Sequence, residues 1–267
     1  MNSITNSRCQ FEVVYQPLVC LVTGQISGFE ALLRWQHPTK GCISPVDFIP
    51  IAEDTGLIVP LGKWVLKTAI RQMYDWQKIF PHALSKAKMA VNISGKQLLH
   101  TNLVEQIEQM LLETGLNPNC LKLEITESLL MENFDRAIFI LKQLSQLGIE
   151  LSIDDFGTGY SSLGRLENLP IDTLKIDRCF VMQIDESSKK LAMVKAISNL
   201  AHSLKINIVV EGIETSTQLA KIRSLNCQEG QGYYFAKPLN ASSAAALLTS
   251  QLHWTHHFTN LNVEVER

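Results

Sequence analysis

No excess of positive charge marks this chain. Its 24 Lys and Arg stand against 26 Asp and Glu, for a formal net charge of -2. Neither a nucleic acid polymer nor an acidic membrane surface is therefore an indicated partner. A small phosphorylated ligand needs only a few local cations and stays open. No run approaches the ~20 apolar residues of a membrane span. The opening MNSITNSRCQFEVVYQPL has no charged segment leading into an apolar one, so no secretory signal is expected. The six cysteines, Cys9, Cys20, Cys42, Cys120, Cys179 and Cys227, form no C-x-x-C pair. Scattered in this way, they are expected as reduced thiols of a cytoplasmic protein. No low-complexity linker divides the sequence. What is present is 267 residues, 46% of them hydrophobic, enough for a full core and close to the ~250 residues of an α/β barrel.

Short β-rich runs alternate with longer helical patterns. Val13–Val19 and Ile26–Trp35 read as strands joined by the turn Val22-Thr23-Gly24-Gln25, an antiparallel start. Ser44-Pro45 opens a short helix, and Leu61–Ile79 has apolar residues at helical spacing. A regular rhythm follows. Strands are expected at Lys88–Ser94, Leu121–Thr126, Ile149–Ile153, Thr173–Asp177, Asn207–Val210 and Gly230–Tyr233. Helices are expected at Leu103–Thr114, Asp135–Leu147, Lys190–Leu204, Ser216–Leu225 and Ser242–Leu252. Strands alternating with helices predict a parallel sheet, and about eight strands favour a closed barrel.

In such a barrel the chemistry sits at the C-terminal ends of the strands. Polar residues stand at nearly all of them: Glu30 and Arg34, Asn92, Glu124, Asp154 and Asp155, Lys175, Glu211, and Gln231. Glu124 lies between Leu123 and Ile125, and Lys175 between Leu174 and Ile176. Period-2 geometry turns both to the face opposite their apolar neighbours, the barrel interior. One such residue alone reads as a structural ion pair. A whole ring of them reads as a site, because buried charge must be paired or metal-bound. Glu30, Asn92, Glu124, Asp154, Asp155 and Glu211 offer only hard oxygen, and no histidine lies in these motifs. That donor set favours Mg²⁺ or Mn²⁺ over zinc. Two ions ~3.5–4 Å apart would use so many carboxylates and relieve the repulsion between Asp154 and Asp155. Such a pair activates water and stabilises displacement at phosphorus.

The blocks YQPLV, FEALLRW, FIPIAEDTGLIVPLGKWVL, VNIS, LEITES, IDDFGTGYSSLGRLENLPIDTLKID, VVEGIET and QGYYFAKPL occur in that order. Together they make the chain, from Gln10 to about Leu247, resemble the EAL domain, a bacterial cyclic di-GMP-specific phosphodiesterase. Glu30-Ala31-Leu32 is the motif that names the family. The resemblance implies a TIM-like (β/α)8 barrel with the first strand antiparallel to the rest, a domain over residues 10–250, and tails at 1–9 and 251–267. It implies hydrolysis of cyclic di-GMP to linear 5′-pGpG with Mg²⁺ or Mn²⁺; Ca²⁺, which prefers longer, looser coordination, is expected to inhibit. Glu30, Asn92, Glu124 and Asp154 would bind one metal, with Asp154 bridging to a second served by Asp155 and Glu211. Lys175 would contact the attacking water and a phosphate oxygen, and the metals rather than a side-chain triad would activate that water. Gln16, Leu32, Arg34, Asp177, Glu214, Gln231 and Pro238 would face the substrate, and Asp177 is expected to pair with Lys175 or the metal cluster. Glu127 would anchor the loop after Asp155, which in the family couples the metal site to dimerisation. A homodimer, and sensor or GGDEF domains in a longer protein, are the partners implied. The competing reading is a catalytically inactive EAL-fold receptor or protein-interaction domain. Such members usually lack a metal ligand or the loop anchor, and none is missing here. Ala236 stands where the family often has serine, at a position with no expected chemistry. His253, His256 and His257 are expected in a solvated tail.

Overall fold

The computed structural model describes residues 10–127, 129, 134–157 and 166–249. Among these, nine strands form one sheet: β1 Phe11–Cys20, β2 Ile26–His37, β3 Gly41–Ile43, β4 Lys88–Asn92, β5 Leu121–Thr126, β6 Glu150–Phe156, β7 Thr173–Ile176, β8 Asn207–Val210 and β9 Glu229–Gly230. The neighbours run β1-β9-β8-β7-β6-β5-β4-β2-β3, and a further β1–β2 pairing closes eight of the strands into a barrel. β1 is antiparallel to both β2 and β9. The remaining pairs around the ring are parallel. The fold is thus the TIM-like barrel with a reversed first strand that the sequence predicts. The reversal follows from chain length. A hairpin turn with Gly24 at φ 73° joins β1 to β2, whereas a parallel return needs a crossover of about a dozen residues or more.

The helices described are α1 Pro45–Asp54, α2 Ile58–Ile79, α3 Gly95–Leu98, α4 Leu103–Thr114, α5 Phe134–Gln146, α6 Arg178–Val181, α7 Ser188–Ser203, α8 Ser216–Ser224 and α9 Ala241–Thr249. The main core lies between them and the outer strand faces. α2 shows how it is built, burying Val65, Leu66, Ala69, Ile70, Met73 and Trp76 along one stripe. Trp76 meets the ring of Tyr15 edge-on, with centroids 4.9 Å apart.

Two boundaries differ from expectation in ways that matter for the site. The run Lys88–Ser94 stops being strand at Asn92. Ser94 instead caps α3: its hydroxyl accepts from Gln97 N while the Gln97 side chain accepts from Ser94 N. β6 extends beyond Ile153 to Phe156, with an irregular register against β7. β3 is the strand outside the expected eight. It pairs with Trp35–His37 beyond the ring, and its three residues carry no alternation to read. Among the described residues no helix is long and apolar enough to cross a membrane. Cys20, Cys42, Cys120, Cys179 and Cys227 are all free thiols.

The barrel interior is layered. At the bottom, Lys122 lies 3.8 Å from Glu150 and 3.6 Å from Glu229, and Lys88 also pairs with Glu150. Leu18, Ala90 and Val209 form a small apolar plug of their own. Above that plug, at the C-terminal strand ends, stands the polar ring.

Candidate active site

Lys175 is the centre of that ring. It is 1% exposed, and its ammonium reaches four carboxylates: Glu211 at 2.6 Å, Glu124 at 2.7 Å, Asp154 at 3.3 Å and Glu30 at 3.6 Å. Each comes from a different strand or strand end, all turned inward by the same period-2 rule. Burial opposes the ammonium charge. Asp154, Glu124, Glu211 and Glu30 outweigh it and hold the Lys175 pKa well above the usual lysine value.

The carboxylates divide by what else they touch. Burial pushes Glu30 toward protonation, but Lys175 and two amide donors reverse that and leave its pKa lowered. The donors are Asn92 Nδ2, 2.7 Å from Glu30 Oε1, and Gln231 Nε2, 2.8 Å from Oε2. Glu124 has the ammonium as its donor and is fully buried beside Glu30 and Asp154, so burial keeps its pKa well above the carboxylate range. Burial, with Asp154 and Glu30 nearby, also raises Glu211, to about 7.

That value predicts a pH dependence for the metal-free protein. Between the ordinary value of 4.5 and about 7, the folded state binds more protons than the unfolded chain, so stability should fall as pH rises through this window. Urea unfolding in chelator should show the decline, and Glu211→Gln should flatten it. An identical slope in the variant would remove Glu211 as its source.

The remaining expected residues fall into groups. Gln16, Glu30, Leu32, Asp154, Glu211, Glu214 and Gln231 line one cleft of about 250 Å³. Gln231 Nε2 also donates to Gln16 Oε1 at 3.0 Å, and Gln16 Nε2 donates to the Ala236 carbonyl. Arg34 and Asn92 border a second cavity of about 300 Å³, and Leu32 lines both. The Arg34 guanidinium donates to the Leu33 carbonyl. Glu127 is buried, and its Oε2 accepts from Gly157 N at 3.2 Å. The loop stretch Thr158–Leu163 and the tail histidines lie outside the described residues.

Three expected positions are not brought into the ring. Asp155 has a left-handed φ of 56° and is exposed, and its backbone N–H donates to Asp154 Oδ1 at 2.9 Å. As the neighbour of the inward-facing Asp154, it falls on the opposite face. Burial, Asp154 and Asp177 raise its pKa. Asp177 is not among the partners of Lys175. β7 ends at Ile176, and the Asp177 carboxylate caps α6 by accepting from Cys179 N at 2.9 Å. Pro238 is partly buried beside Leu239, which bridges to Tyr15. Conversely, Arg178 and Tyr233 line the cleft. Both follow strand-end motifs, LKID and QG, which was the available signal for them.

The donor set is all oxygen. Among the described residues no three Asp, Glu, His or Cys side chains are grouped as a ready ion cage, because the carboxylates are turned onto Lys175. Four carboxylates against one ammonium, two of them with raised pKa, leave negative charge that a hard divalent cation would offset. The residues therefore fit Mg²⁺ or Mn²⁺ by donor type and charge, once side chains rotate from the ammonium.

The model of the EAL domain matches residues 2–238. The chain belongs to the EAL domain family. It is 44% identical over 239 residues to the bifunctional diguanylate cyclase/cyclic di-GMP phosphodiesterase MucR of Pseudomonas aeruginosa, covering 90% of this chain and 34% of that protein. To the cyclic di-GMP phosphodiesterase PdeR of Escherichia coli it is 39% identical over 232 residues, covering 87% of this chain and 34% of that one. This EAL chain thus spans about a third of the length of these curated relatives. Among solved structures, the PaMucR phosphodiesterase in complex with c-di-GMP superimposes with a TM-score of 0.84 at 44% identity, covering 89% of this chain and 95% of that one. Klebsiella pneumoniae BlrP1, in a manganese and cyclic di-GMP complex, gives a TM-score of 0.73 at 31% identity, covering 86% and 56%.

Proposed function

We propose that this EAL domain hydrolyses one phosphodiester bond of cyclic di-GMP to give linear 5′-pGpG, using two Mg²⁺ or Mn²⁺ ions. The observation that carries the reading is the buried Lys175 among Glu30, Glu124, Asp154 and Glu211, at the floor of a cleft lined with amides. Relatives named as cyclic di-GMP phosphodiesterases, and a manganese complex of one neighbour, support it.

Glu30, Asn92, Glu124 and Asp154 would hold one ion, and Asp155 and Glu211 would serve the second. When bound, the ions supply Lewis acidity at the phosphate and lower the pKa of water. Lys175 stays charged throughout the neutral range and donates to a phosphate oxygen. Asn92 and Gln231 fix the Glu30 carboxylate, and Gln16, which holds Gln231, orients one side of the nucleotide. Asp155 would have to turn inward from its present exposed position. Calcium is expected to inhibit, since it takes longer, looser coordination than Mg²⁺. Activation by Ca²⁺ would count against an Mg²⁺-sized site.

By the family likeness the domain acts as a homodimer in the cytoplasm. There the Glu127-anchored loop answers to the partner subunit, and sensor or GGDEF domains of a longer protein supply the input. The test of the central reading is direct: incubation with cyclic di-GMP and Mg²⁺, then chromatographic separation of nucleotides. Linear pGpG is expected. Intact cyclic nucleotide recovered in tight complex would instead identify a receptor.

A further inference from the structure

α3 is a single turn, Gly95–Leu98, yet it carries a complete capping box. One turn of helix does not sustain itself in water, so the box serves the chain that enters it. That chain is β4, which ends at Asn92. Asn92 is exposed, so packing does not hold its side chain. Its Nδ2 reaches Glu30 Oε1 at 2.7 Å because the backbone aims it there. Upstream, pairing with Glu124 fixes that backbone, and Ile93 N donates to the Glu124 carbonyl at 2.8 Å. Downstream, the Gln97 amide does the same work. Its Oε1 accepts from Ser94 N at 3.3 Å and from Ser94 Oγ at 3.0 Å, while Gln97 N donates back to Ser94 Oγ at 3.3 Å. Ser94 N can only donate, so the amide oxygen must face it.

Gln97 is 4% exposed, and a glycine makes room for it. A Cβ added at Gly62 would lie 1.9 Å from Gln97 Nε2 and 2.3 Å from its Cδ. Gly62 sits inside α2, where glycine opposes the helix and alanine favours it. It is not one of the left-handed glycines, so its own backbone does not call for the residue. The close approach of the Gln97 amide does. Gly62, Ser94 and Gln97 border the same cavity as Arg34 and Asn92.

We propose that Gln97 is a positioning residue for the ion site, its amide seated on Gly62 of α2 and locking Ser94 so that Asn92 is aimed at Glu30. The inference rests on the reading that Glu30 and Asn92 hold an ion, and deepens it by naming what sets the asparagine. Gln97 acts through Ser94, two residues beyond Asn92, and not on the ion itself.

Two measurements on the full chain test this. The first is the ¹⁵N-correlated spectrum of side-chain amides in chelator, with the Asn92 signal assigned by its loss in Asn92→Asp. The second is Mn²⁺ affinity, read from the electron paramagnetic resonance signal of free Mn²⁺. Gln97→Leu keeps the volume and loses the acceptor. It should move the Asn92 signal and weaken Mn²⁺ binding by about ten- to a hundredfold, the range for loss of an outer partner of a metal ligand. Gln97→Glu keeps the acceptor of a capping box and should restore both. Gly62→Ala should reproduce the Gln97→Leu pattern with a smaller loss in Tm, because the added methyl displaces the amide yet favours the helix. A merely structural Gln97 would lower the Tm and leave both readouts unmoved. An unmoved Asn92 signal in Gln97→Leu would overturn the proposal, and so would wild-type Mn²⁺ affinity in that variant. If the wild-type protein binds no Mn²⁺, the ion site falls, and the Asn92 signal alone decides the positioning.

Discussion

Lys175→Met is expected to destabilise the metal-free protein by about 3–5 kcal/mol near pH 8, the range seen when one partner of a buried ion pair is removed. The ammonium is the shared counter-charge of Glu30, Glu124, Asp154 and Glu211. Methionine keeps much of the volume and removes the charge, so the loss is electrostatic rather than a cavity. The carboxylates can escape their mutual repulsion by binding protons, and the loss should therefore shrink toward pH 5. Added Mn²⁺ should recover part of it by supplying new positive charge to the same oxygens. Turnover should fall at least ~10²-fold, as when one preorganised donor to developing charge is removed. Urea unfolding in chelator at two pH values is the measurement. A loss that does not change with pH would mean that the carboxylates are not ionised around the lysine.

Glu30→Gln and Glu124→Gln should both reduce hydrolysis of cyclic di-GMP by about 10²–10³-fold, because each removes charge from a proposed ion site worth several kcal/mol. Their effects on the metal-free protein should have opposite signs. Glu30 is held ionised by Asn92, Gln231 and Lys175, and an amide in its place would oppose one of those donors. That variant should lose stability at neutral pH. Glu124 is held toward its protonated form by burial beside other carboxylates. Because its folded pKa lies above the unfolded value, it lowers stability as pH rises past the unfolded value, and Glu124→Gln removes that penalty. Thermal melting in chelator at neutral pH separates them: a lower Tm for Glu30→Gln, a higher one for Glu124→Gln. Equal shifts would show that the two carboxylates share one environment. Stability rising as function is lost is the signature of a strained site.

The ring was legible in the sequence because one rule places most of it. Polar residues at alternating positions in buried strands must face the barrel interior, and Glu30, Glu124, Asp154 and Lys175 all obey. The same rule failed for Asp177, and it places Asp155, next to the inward Asp154, on the opposite face. β6 carries an irregular register and a left-handed residue at Asp155. β7 ends one residue before Asp177, which turns to cap α6. Neither event has a local sequence mark, since both depend on how neighbouring strands and turns pack. β3 escaped notice for a related reason: three residues, two of them exposed, gain strand geometry only by pairing with the overhanging end of β2. Gly62 and Gln97 illustrate the limit most clearly. They are 35 positions apart, and only the packing of α3 on α2 makes the glycine a necessity for the glutamine.

Hydrolysis of cyclic di-GMP in ¹⁸O-labelled water with Mg²⁺ tests the account most directly, since it reads the bond that is made. The product should be linear pGpG with one heavy oxygen on its terminal 5′-phosphate, and none should form with Glu30→Ala. Intact cyclic nucleotide from the wild-type protein, or a product without the heavy oxygen, would contradict the assignment of Glu30, Glu124, Asp154 and Lys175 to hydrolysis by water at phosphorus.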